Sequence, residues 1–172
     1  MSSAGARRRS LAETIETQRL GCELSGSPLY ASILDVVADD VAAGGVTARL
    51  LEPVADAPFG DAVLLRLLAG LHRLVLAGRA PVLAKHYPSA GGEPGAGLGD
   101  AVLVTATRHV AELTSAMAQG VQTNEVGRSA AMVGGYLELA RRGLALRVLE
   151  LGASAGLNLL FDRYRYLSLI HI

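Results

Sequence analysis

At 172 residues the chain suffices for one domain, or for one domain and the beginning of a second. Sixteen basic and sixteen acidic residues cancel, and a pI near 6.9 argues against general binding of nucleic acid or anionic membrane, which needs a positive field. The single cysteine, Cys22, excludes an intramolecular disulfide and a multi-cysteine zinc site.

Hydrophobic residues make up 51% of the chain and aromatics only 4%, so the core must be built from Leu, Val and Ala; Ala, Leu and Arg are good helix formers, which tilts the expectation toward helix. Arg7-Arg8-Arg9 is followed by polar residues rather than an apolar stretch, unlike an export signal. No run of about 18 apolar residues occurs, so no transmembrane helix is expected and the protein reads as cytoplasmic. Residues 1–10 are expected to be disordered, and Leu11, Ile15 and Leu20 open a helical rhythm that lasts to about residue 23. Cys22, among apolar residues of that helix, is expected to be a buried, inert thiol.

Gly26-Ser27-Pro28 breaks the chain, with Ser27 a possible N-cap and Pro28 at the first helical position. The next helix has Leu29, Ile33, Val36, Val37 and Val41 on one side and ends at Gly44-Gly45. Residues 53–60 read as a loop. A strong apolar stripe then marks a helix over 61–77, capped by Asp61, and a short helix follows Pro81. Residues 89–99 are a Gly- and Pro-rich loop. A long helix is expected over 100–118 and another over 123–142, where Gly134-Gly135 suggests close packing against a neighbouring backbone.

The pattern changes at residue 144. Leu144-Ala145-Leu146-Arg147-Val148-Leu149-Glu150-Leu151 is a short apolar run with the character of a buried parallel strand, the only one in the chain. Glu150-Leu151-Gly152-Ala153-Ser154-Ala155-Gly156 follows directly. It resembles the first motif of class I S-adenosylmethionine-dependent methyltransferases, an acidic residue two positions before a glycine-rich turn. The resemblance implies a cofactor site formed by Glu150, Gly152, Ala153, Ser154, Gly156 and Asn158, with Glu150 holding the cationic methionine end. Ser154 departs from the family, whose middle glycine it replaces; its β-carbon tolerates positive φ less well. Plain tight packing of a strand against a helix is the alternative for the same residues. After Gly156, Leu157, Leu160, Phe161 and Tyr164 suggest a helix packed on a sheet, with Asp162, Arg163 and Arg165 outward.

Gln122, Asn124, Glu125 and Arg128 gather polar groups at a helix start and could line a pocket facing that loop. The competing reading is capping by Thr123 or Asn124, with Glu125 paired to Arg128. His72 and His86 read as packed or solvated histidines and His109 as exposed. Four histidines and one cysteine without close ligand spacing argue against a metal site.

Several segments agree in order with one family: Gly26-Ser27-Pro28-Leu29-Tyr30, the stretch from Leu71 to Pro81, Tyr87-Pro88-Ser89-Ala90-Gly91-Gly92, the stretch from Val121 to Arg128, and that from Leu149 to Leu159. Over residues 11–166 the chain resembles an uncharacterised bacterial family, domain of unknown function 2332. The resemblance implies a longer protein whose α/β part continues beyond Tyr166. Residues 167–172 resemble the translation of a sequencing adaptor and are expected to be non-native; a true apolar terminal strand is the alternative.

The expected architecture is therefore mainly α: a helical domain over 11–143, then the first strand–loop–helix of an α/β, Rossmann-like domain over 144–166, with the rest missing. The expected function is that of a methyltransferase-like enzyme using S-adenosylmethionine on an unknown small molecule, without metal, nucleic acid or membrane. The alternative is a non-catalytic binding or scaffold protein with a degenerate Rossmann-like domain.

Overall fold

A computed structural model describes residues 3–120 and 125–166, with side chains described from residue 11. The chain divides into two compact units, Met1–Val121 and Gln122–Ile172.

The first unit contains helices α1 (Ser3–Leu24), α2 (Pro28–Ala42), α3 (Val46–Leu51), α4 (Val63–Leu76), α5 (Pro81–Ala84), α6 (Leu98–Arg108) and α7 (Val110–Met117). α1 lies along α2 and buries Leu11, Ile15 and Cys22, so the thiol is enclosed as its neighbours suggest. On α2 the buried residues Ile33, Leu34, Val37 and Val41 recur at helical spacing. Pro28 stands at the first position of α2, but the Ser27 side chain makes no capping bond. Instead its carbonyl accepts from the N–H groups of Tyr30 and Ala31 at 3.1 and 3.2 Å.

The α3 helix is unforeseen in the sequence because six residues carry little periodicity. Its start is capped from a distance: Asp40, near the end of α2, accepts from the backbone N–H of Thr47 at 2.7 Å and from its hydroxyl at 2.6 Å. Thr47 is 1% exposed, so the carboxylate satisfies two donors that water does not reach.

The α4 helix carries the core. Leu64, Leu67, Leu68, Leu71, Leu74 and Val75 are all buried against neighbours that include α7. Burial of one such leucine contributes about 2 kcal/mol. The helix begins after Ala62 in the left-handed conformation (φ 52°), not at Asp61, which belongs to a 3-10 turn. The single helix expected over 100–118 is split at His109 (φ −121°, ψ 29°). The imidazole is largely covered rather than exposed, with Nδ1 2.8 Å from Glu112, whose carboxylate Arg79 also grips.

The second unit contains α8 (Arg128–Arg141), an irregular segment from residue 144, and 3-10 turns over Leu157–Arg163. Here the expected fold is overturned: among the described residues there is no strand and no sheet, so the fold is all α. Residues 144–151 form no ladder, and Leu149 and Leu151 are 86% and 89% exposed. A strand is held by hydrogen bonds to a neighbour, and among the described residues no other segment is ordered as one. The Rossmann-like strand–loop–helix is therefore absent. The segment after Gly156 is likewise 3-10 turns interrupted at Leu160 (φ −91°, ψ 20°), not an α-helix. Nor do Gly134 and Gly135 mark a close approach, since a β-carbon at either would meet no heavy atom within 4 Å. Among the described residues no helix is long and apolar enough to cross a membrane.

Candidate functional site

In the second unit two segments meet through polar groups. Asn158 is 3% exposed and Ser129 1%. The Ser129 hydroxyl donates to Asn158 Oδ1 at 3.0 Å, and Asn158 Nδ2 donates to Glu150 Oε1 at 3.1 Å. This chain ties the first turn of α8 to both ends of the 150–158 loop. Arg128 Nη2 stands 3.9 Å from Glu150 Oε1, too far for a hydrogen bond but close enough for attraction. The other carboxylate oxygen, Glu150 Oε2, is buried and has no hydrogen-bond partner among the described residues.

The loop between them is held by its backbone. Gly152, Ser154 and Gly156 have φ of 69°, 52° and 72°. Glycine adopts that region freely, whereas a residue with a β-carbon is strained by about 1 kcal/mol or more. Ser154, the departure from the methyltransferase motif, thus occupies a position that glycine would fill without strain. The Gly156 N–H donates to the Ala153 carbonyl at 2.7 Å and closes the turn. Gly127, just before α8, and Ala130 on its first turn border a groove of about 540 Å³ whose other wall includes Tyr164 and Tyr166.

Of the residues singled out from the sequence, Glu150, Asn158 and Arg128 come together, and Gly152, Ala153, Ser154 and Gly156 form the adjoining turn. Glu125 does not join them: its carboxylate accepts from the Gly127 N–H at 2.9 Å. Arg128 does not pair with the Glu125 carboxylate either; its Nε reaches the Glu125 carbonyl at 3.4 Å. Gln122, Asn124 and the proposed cap Thr123 lie outside the described residues, as does the 167–172 tail. Arg163 pairs with Asp162 at 3.6 Å on the exposed side.

A second polar cluster, in the first unit, escaped the sequence reading. Tyr30 on α2, His72 on α4, and Tyr87 and Ser89 beyond α5 converge. His72 Nδ1 is 2.8 Å from the Tyr30 hydroxyl, and His72 Nε2 is 2.8 Å from Ser89 Oγ. The rings of His72 and Tyr87 lie 4.9 Å apart between centroids. Burial pushes the His72 imidazole below its ordinary pKa and the hydroxyls of Tyr30 and Tyr87 above theirs, so all three are neutral near pH 7. Tyr87 is 1% exposed and its hydroxyl has no partner among the described residues.

Gly92 pins the turn that carries Ser89: its N–H donates to the Tyr87 carbonyl at 2.9 Å, and an added β-carbon would collide with the carbonyl oxygens of Ala84 and Lys85. A cleft of about 290 Å³ opens over the cluster. The histidine's partners lie 42 and 17 positions away, so no spacing rule reveals them. Their only trace in the sequence is that Tyr30, His72, Tyr87 and Ser89 all fall within the segments shared with the family.

The described residues contain no group of three or more His, Cys, Asp or Glu side chains placed to hold a metal ion. The profile of a family described as an uncharacterized protein conserved in bacteria (DUF2332) matches residues 12–169, and the chain belongs to that family. Neither this match nor the fold supports the methyltransferase resemblance of the 150–158 segment. No curated protein and no solved structure matches the chain.

Proposed function

We propose that the protein binds a small molecule at the loop of residues 150–158, and that the ligand is S-adenosylmethionine, which makes the protein a methyltransferase-like enzyme of the cytoplasm. The observation that carries this reading is the unpaired second oxygen of Glu150, buried beside an oxygen that Asn158 already holds. A buried acceptor without a donor costs about 1–3 kcal/mol, and more when charged. A ligand ammonium offsets that cost, and the methionine end of S-adenosylmethionine carries one. A β-carbon at Gly152 would meet no heavy atom within 4 Å, so there is space beside the turn for a ligand to approach the backbone.

When bound, the cofactor supplies an electrophilic methyl group. The chain's own part is placement: Glu150 accepts from the ammonium, Asn158 and Ser129 fix the carboxylate, and the turn presents its backbone. The site so read needs no parallel sheet. A non-catalytic binding or scaffold protein is the second reading, favoured by the exposed side chains of Leu137, Leu149 and Leu151.

Titration calorimetry with S-adenosylmethionine separates the two. Saturable binding by the wild type, weakened at least about tenfold in Glu150→Gln, is expected for loss of a charge-assisted bond. Absence of heat at millimolar ligand refutes the cofactor and favours the scaffold.

A further inference from the structure

We infer that Ser89, with His72 as its general base, is the nucleophile of a second site in the first unit, which takes an ester or thioester of a small apolar acyl group. A serine hydroxyl attacks only when a base within hydrogen-bond reach removes its proton. His72 Nε2 stands 2.8 Å from Ser89 Oγ, and the Tyr30 hydroxyl stands 2.8 Å from Nδ1. With Tyr30 accepting from Nδ1–H, the lone pair of Nε2 is directed at Ser89, the tautomer that base catalysis requires. Ser89 is exposed on its turn while His72 is half-buried, so the nucleophile is reachable and the base is shielded.

The cleft fits an acyl substrate. Pro28, Leu29, Pro88 and Pro94 give it apolar walls, and its 290 Å³ suits a short chain rather than a long one. Tyr87 lines the same cleft, and its buried hydroxyl has no partner among the described residues. That hydroxyl is a donor for the carbonyl oxygen, which gains negative charge as the tetrahedral intermediate forms.

The step balances without any cofactor. Ser89 Oγ bonds to the acyl carbon as its proton passes to His72 Nε2. The bond from that carbon to the alcohol or thiol oxygen or sulfur then breaks, and the leaving group departs with the proton from Nε2. Water repeats the sequence on the acyl-serine: it gives a proton to Nε2, attacks the acyl carbon and releases the acid, and Ser89 Oγ recovers the proton. Tyr30 is neutral and stabilises the imidazolium less than a carboxylate does, so turnover is slow and a strong electrophile is the suitable probe.

The test is phosphonylation of the full chain by a short-chain alkyl fluorophosphonate, read by intact mass and peptide mapping. In this reaction Ser89 Oγ displaces fluoride at phosphorus and Nε2 takes the proton. A single adduct on Ser89 is expected, absent in Ser89→Ala. The labelling rate should fall at least about 100-fold in His72→Gln, the usual contribution of a general base. Tyr87→Phe should lower the rate about tenfold or more while the helical circular dichroism is unchanged. No adduct at Ser89, an adduct only elsewhere, or equal rates in folded wild type and His72→Gln overturns the proposal. Ser89 lies on an exposed turn, so Ser89→Ala gives a decisive comparison even where the His72 variant loses structure.

Discussion

Replacing Asn158 with alanine removes the side chain that, among the described residues, bonds to both Ser129 and Glu150. Two hydrogen bonds are lost, at 3.0 and 3.1 Å, each contributing about 0.5–1.5 kcal/mol net. The Ser129 hydroxyl, in a residue 1% exposed, is then left without its acceptor, which adds about 1–3 kcal/mol. Glu150 loses its only side-chain donor among the described residues. The total loss is expected at about 2–6 kcal/mol, confined to the second unit. Adding Ser129→Ala should recover about 1 kcal/mol, because the stranded hydroxyl is removed with it. Asn158→Asp should be worse than Asn158→Ala at pH 7, since it sets a second carboxylate about 3 Å from Glu150 and removes the donor that Glu150 accepts from. Amide hydrogen exchange across α8, compared with exchange across α4, reads the effect by unit. Unchanged protection of α8 in Asn158→Ala, or a double variant no better protected than the single, refutes the reasoning.

Asp40→Ala leaves the buried hydroxyl and N–H of Thr47 without their acceptor and should lower the stability of the first unit by about 2–3 kcal/mol in urea melts, with Asp40→Asn less damaging because an amide oxygen still accepts. Gly152→Ala introduces no clash but forces φ of 69° on a residue with a β-carbon, at a cost of about 1 kcal/mol, and Gly152→Asn should lose less because asparagine tolerates that region; equal losses would show that φ is not the cause. Because burial lowers the folded pKa of His72, the neutral ring is favoured in the native state. Its contribution to stability is then present above the ordinary value of 6.5 and is lost as the pH falls below it. The ring-proton shifts of His72 should titrate below 6.5 in the folded chain, and a midpoint above 6.5 contradicts the assignment of desolvation as the dominant cause.

Most of the first unit could be read along the chain. Helical periodicity marks α2 and α4 because the same side chains that satisfy a 3.6-residue repeat are the ones tertiary packing buries, Ile33, Val37 and Val41 on one helix and Leu64, Leu67, Leu71 and Leu74 on the other. The breaks at Gly26-Ser27-Pro28 and Gly44 are equally local, since proline and positive-φ glycine act on their own backbone. What failed were features set by distant partners. The capping of α3 depends on the Asp40 carboxylate reaching across the turn between α2 and α3. The apolar run at 144–151 had the composition of a strand, but composition does not supply a ladder, and no neighbouring strand stands beside it among the described residues. The candidate sites divide in the same way. Glu150 and Asn158 sit on one short loop and could be named from the sequence; their link to Ser129 could not. The Tyr30–His72–Ser89 chain joins α2, α4 and the turn after α5, and only the packing of those elements brings its hydroxyls within 2.8 Å of one imidazole.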